Sequence, residues 1–182
     1  MATPPNFTAG SILTAAQMNA VGLWLVKTQT IGSAVTDVTV SDAFSADYDN
    51  YKIIVSGGVG STNNPLRFNF AGNTANYQSV LIFGSTAAAL GNASALGTGS
   101  IAYWDQMGYA TPNAITVNME VSDPFLAKMS TFSSVLAPTN TGANSGPVQG
   151  FHNSATSFTG FRITASSGTL TGGTIRVYGY RN

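Results

Sequence analysis

ITVNMEVS, residues 115–122, decides the fold class. Ile115, Val117, Met119 and Val121 alternate with Thr116, Asn118, Glu120 and Ser122. A period of two puts every apolar side chain on one face of an extended chain. This is the pattern of a β-strand with one face buried and one in water. Pro124, which has no N–H to give a ladder, ends the run.

Working outward, the same signature recurs. Leu66, Phe68 and Phe70 alternate with Arg67, Asn69 and Ala71. YKIIVS at 51–56 is a strong strand stopped by Gly57-Gly58. Strands are also expected around Val35, Val38 and Val40, over 77–83, around Trp104 within 101–107, and within 126–136. Residues 158–165 and 174–180, joined by SSGTLTGG, read as a terminal hairpin. The small-residue, Gly-rich stretches 87–100 and 139–150 read as loops. Roughly eight to ten short strands separated by turn signals predict an all-β, antiparallel β-sandwich, jelly-roll-like. No fixed-period repeat points to a solenoid or fibrous shaft.

The N-terminus differs. In residues 13–22, Thr14-x-x-Gln17 matches a capping box, Leu13 and Met18 sit where a hydrophobic staple would, and Gly22 can close the helix. About two helical turns are unstable alone in water and must dock on something. Residues 1–27 are therefore expected to be an attachment or oligomerisation arm with a short helix, and 28–182 the β-sandwich domain. Ile12, Leu13, Met18, Val21 and Trp24 are the candidate attachment residues. The rival reading is that Leu13, Met18 and Trp24 cap one end of the chain's own sandwich.

Composition narrows function. Only 8% of the 182 residues are charged, and seven basic residues match seven acidic ones. An average globular domain has roughly 25%. No basic cluster favours a nucleic-acid partner. A neutral surface of Ser, Thr, Asn and Gly suits a protein packed against copies or partners. With no cysteine, disulfides and thiolate metal sites are excluded. No secretory leader is expected, and the longest apolar run is too short to span a bilayer, so synthesis in a cytoplasm without membrane insertion is expected.

Catalytic chemistry has little to build on, and a non-enzymatic role without cofactor or metal is expected. His152, the single histidine, lies in FHNSATS and reads as a surface or hydrogen-bonded residue rather than a general base. Asp47 and Asp49 have the oxygen density of a calcium loop but lack its Gly and distant Glu; they also suit an ordinary turn. Glu120 and Asp123 read as strand exit and turn rather than a glycosidase pair. The aromatics of the central third are more suggestive. Tyr77, Phe83, Tyr103, Trp104 and Tyr109 lie among amides and glycines. Aromatic faces beside amide groups hold sugar rings, so Tyr77, Tyr103, Trp104, Asp105, Tyr109 and Asn113 are the candidate contacts to a host glycan or protein. The competing reading makes Trp104 and the Phe residues plain core.

Three stretches, SILTAAQMN at 11–19, SDAFSADYDNYKIIVSGG at 41–58 and SSGTLTGGTIRVYGYRN at 166–182, resemble small virion structural proteins of tailed bacteriophages, of tail-fibre, minor-tail or head-decoration type. The likeness leaves roughly residues 65–150 uncovered. It implies a particle component assembled in the host cytoplasm, a homo-oligomer and often a trimer, in contact with other virion proteins. Two functions follow: a tail-fibre or receptor-binding component anchored by its N-terminus, or a capsid decoration or head-fibre protein that stabilises the shell.

Overall fold

The computed structural model describes residues 10, 12, 22–85, 88–137 and 144–180. The helix expected within 13–22, and Leu13, Met18 and Val21 with it, lies outside the described residues. Everything regular among the described residues is β: β1 Leu23–Thr30, β2 Asp37–Val40, β3 Asn50–Ser56, β4 Val59–Gly60, β5 Asn64–Phe70, β6 Tyr77–Ser85, β7 Ala88–Ile101, β8 Trp104–Ala110, β9 Ile115–Ser122, β10 Ser130–Leu136, β11 Asn144–His152, β12 Phe161–Ala165, β13 Leu170–Thr171 and β14 Thr174–Tyr180. All pairings are antiparallel, as a sandwich requires.

The alternating segment β9 is the junction of the fold. One edge of β9 pairs β3 over residues 117–122. Its other edge is divided: residues 115–117 pair β8, and residues 119–122 pair β10. The sheet therefore forks. One layer runs β1-β14-β3-β9-β10-β11-β6-β7, and a smaller one runs β8-β5-β12-β2. Folded over each other, they make a barrel-like sandwich.

The period of two is honoured on both layers. Ile115, Val117, Met119 and Val121 are buried, as are Leu66, Phe68 and Phe70. Rings from the two layers fill the space between. Phe68 stacks on Trp104 at 5.2 Å and on Phe161 at 5.1 Å within the smaller layer. Trp104 crosses to stack on Phe132 of β10 at 4.4 Å. Phe44 and Phe158 enter from loops, the latter stacked on Phe70 at 4.4 Å. Each such ring removes roughly 150–250 Å² from water. At about 25 cal/mol per Å² that is about 4–6 kcal/mol of gross burial each.

Five segments depart from expectation. Residues 158–165 and 174–180 do not form a hairpin: β12 pairs β2 and β5, whereas β14 pairs β1 and β3. The connection between them crosses from one layer to the other and forms a small ladder, β13 with β4, on the way. Two back-to-back glycine pairs make that passage possible. Gly57, Gly58, Gly172 and Gly173 all have positive φ, and a Cβ on Gly58 would strike the Gly172 carbonyl. Residues 88–101 are strand β7, and 144–152 are strand β11, where loops were expected. Their Gly, Ala and Ser carry little intrinsic β preference, and the ladders on either side of β6 recruit them. Within 126–136, strand structure begins only at Ser130; the preceding residues turn, with Leu126 N donating to Asp123 O at 3.3 Å. Trp24, Leu25 and Val26 lie in β1, so the last residues of the arm expected over 1–27 belong to the sheet from Leu23 onward.

Candidate recognition face

The six central residues singled out from sequence divide into two classes. Tyr77 and Trp104 are completely buried. The Tyr77 hydroxyl accepts a bond from Phe70 N at 2.8 Å, and burial pushes its pKa well above the usual tyrosine range. The Trp104 indole Nε1 donates to the Phe151 carbonyl at 3.0 Å. Both are core: for Trp104 this is the competing reading left open by the sequence, for Tyr77 it corrects the expected contact role, and neither presents a surface to a ligand. Alternation explains Tyr77, which shares its face of β6 with buried Ser79 and Leu81.

Tyr103 and Asp105 do come together, around a residue the sequence reading did not single out. The Arg67 guanidinium lies over the Tyr103 ring, 4.3 Å from its centroid. Its Nε sits 3.5 Å from Asp105 Oδ1 without hydrogen-bond geometry, so charge alone holds that pair. All three side chains are half-buried. The signal for Arg67 was present: it stands on the polar face of the alternating strand β5. The register shift between β5 and β8 was not legible. Leu66 faces Gly108 while Phe68 faces Trp104, so β8 carries extra residues there. Gln106 takes a positive φ of 57° within that bulge, and its N–H donates to Asp105 Oδ1 at 3.0 Å. The bulge thereby orients the Asp105 carboxylate.

The face extends along the smaller layer. Tyr109 is half-buried opposite Pro65, two residues from Arg67 on β5. Arg162 of β12 reaches Asn69 Oδ1 at 3.4 Å. Arg67 and Arg162 thus stand on adjacent strands beside two tyrosines. Asn113 is exposed but sits in the turn after β8, roughly 20 Å of strand away from Tyr103. Its backbone N–H donates to Thr111 Oγ1, a turn role. Trp24 and Ile12, from the attachment set, are exposed.

The acidic and histidine candidates resolve into local partnerships. Asp47 accepts from Ser45 Oγ at 3.0 Å, within a turn that the Tyr51 hydroxyl clamps through Ser45 N and O. Among the described residues no three His, Asp or Glu side chains converge as metal ligands would. Glu120 accepts from the Tyr180 hydroxyl at 2.6 Å and pairs with Lys52 at 3.5 Å. Burial, then the Glu120 bond, lift Tyr180 to about 12. Asp123 pairs instead with Lys128 at 3.0 Å. His152 is buried; its Nε2 lies 3.1 Å from both Asn73 Oδ1 and Ala75 O. Two acceptors there place the proton on Nε2 and leave Nδ1 bare, without a partner. Burial lowers its pKa, against the bond to Ala75.

The opposite side of the molecule carries a shallow groove of about 560 Å³ across β10, β11 and β6, lined by Gln78, Val80, Met129, Thr131, Gln149 and Phe151. No helix among the described residues is long and apolar enough to cross a membrane. Comparison with protein-family models, with curated proteins and with solved structures yields no match.

Proposed function

We propose that this chain is a non-enzymatic structural protein of a tailed-bacteriophage particle, a homo-oligomer such as a trimer, anchored by its N-terminus and contacting the host surface. The observation that carries the recognition part is the Arg67–Tyr103–Asp105 group. It offers an aromatic ring, a cation and a carboxylate on one outward face, the equipment that grips a glycan hydroxyl pattern or a polar protein surface. Tyr109 and Arg162 enlarge that face.

The test is competition for adsorption. Purified protein is expected to block attachment of particles to cells, and Arg67→Ala with Tyr103→Ala to abolish the block while the circular dichroism spectrum is retained. Competition that survives both substitutions sinks the recognition role.

The second reading is a capsid decoration or head-fibre protein. One observation favours it: few charges and much Ser, Thr and Gly, as in a chain packed among copies. Antibody labelling of intact particles separates the two. Label at the tail supports host recognition; label spread over the head supports decoration.

A further inference from the structure

The charges of this protein are segregated. Four adjacent strands, β10, β11, β6 and β7, contain no Asp, Glu, Lys or Arg at all. The Lys52–Glu120 pair stands on β3 and β9 beside them, and Lys128 in the turn before β10. On the outward side of the charge-free half, Ile82 is 60% exposed, Val135 56% and Val80 42%. Pro147 is exposed between them on β11, and Met129 at their margin. The last strand, β7, pairs only with β6, so its outer edge is open among the described residues. Edges left in water are ordinarily guarded by a charge or a proline, and Ala88–Ile101 has neither.

We propose that this face, centred on Ile82 and Val135, is where a second copy of the same chain docks. Charge selects the occupant. A charged partner would lose hydration against a surface whose bordering charges, Lys52, Glu120 and Lys128, are already paired within the chain. A second copy brings the same apolar and uncharged polar groups and meets no repulsion. Charge depletion at the centre is also the mark of a protein interface core. The size is adequate. Four strands at about 4.8 Å spacing and eight residues at about 3.3 Å project to roughly 500 Å². Side-chain relief raises the accessible area toward the roughly 800 Å² per partner of a stable interface. The inference deepens the oligomer part of the reading above and is independent of the Arg67 face, which lies on the other layer.

The full-length protein, its Ile82→Glu and Val135→Glu variants, and Thr39→Glu on the smaller layer are compared by light scattering across a concentration series. The wild type and Thr39→Glu are expected to be oligomers, with dissociation constants raised at least tenfold in the other two. A monomeric wild type overturns both this interface and the oligomer reading. A wild-type oligomer unchanged by Ile82→Glu and Val135→Glu overturns this interface alone. A second measurement needs no destabilising charge. Because the chain has no cysteine, single Ile82→Cys and Thr39→Cys variants can be treated with a short bismaleimide. Cross-linked dimers from Ile82→Cys but not Thr39→Cys support the face; equal cross-linking overturns it.

Discussion

Trp104 Nε1 donates to the carbonyl of Phe151, 3.0 Å away and on the opposite layer of the sandwich. The bond ties the first residue of β8 to β11, a strand with no sequence signature of its own. It also fixes the floor of the groove on the outer face, where Phe151 is a lining residue. Trp104 therefore serves the core and the surface together.

Two substitutions separate those roles. Trp104→Phe keeps an aromatic ring between Phe68 and Phe132 but removes the donor to the Phe151 carbonyl. It is expected to cost about 1–3 kcal/mol. Trp104→Ala also opens a cavity and is expected to cost about 3–5 kcal/mol. Urea unfolding monitored by circular dichroism reads both; an alanine variant as stable as the wild type would contradict the burial.

His152 makes stability depend on pH. Its pKa is lowered in the folded state, so the unfolded chain binds the proton more readily. The contribution is full above about pH 6.5, the unfolded value, and is lost progressively as the pH falls from there toward the folded value. The thermal midpoint of the wild type is therefore expected to fall between pH 7.5 and about 5.5, and His152→Gln to flatten that slope. Parallel slopes in the two proteins would remove His152 as its source.

Gly150 is required by close approach rather than by conformation. A Cβ there would strike the Gln78 carbonyl and come within 2.7 Å of the Phe132 ring. Gly150→Ala is expected to destabilise by about 1–3 kcal/mol through overpacking. A neutral result in chemical denaturation would mean that β11 and β6 lie farther apart than described.

Arg67 is expected to contribute little to stability. Its ion pair with Asp105 is partly solvated, and such pairs contribute at most about 1 kcal/mol. Arg67→Ala is expected to shift the unfolding midpoint little. Tyr103 fluorescence or chemical shifts should report loss of the overlying guanidinium. A large loss of stability would reclassify Arg67 as part of the fold.

Much of the fold was legible because strand periodicity is local. In β3, β5, β9 and β14 the inward face could be read directly from alternation, since successive side chains point to opposite sides wherever the strand pairs. Arg67 was legible to the same extent, as a polar-face residue. The chain by itself also determined the uncharged character, the lack of thiol chemistry and the sandwich class. The tertiary structure alone decided the partners. β12 and β14, neighbours in sequence, pair with different layers because hydrogen-bond ladders are non-local and the Gly172-Gly173 turn lets the chain change layers. Residues 88–101 and 144–152 became strands because β6 presents free ladder edges to them, not because of their own composition. Trp104 went inward and Tyr103 against Arg67 because of a bulge in β8, which shifts the register by an amount no single-strand pattern encodes.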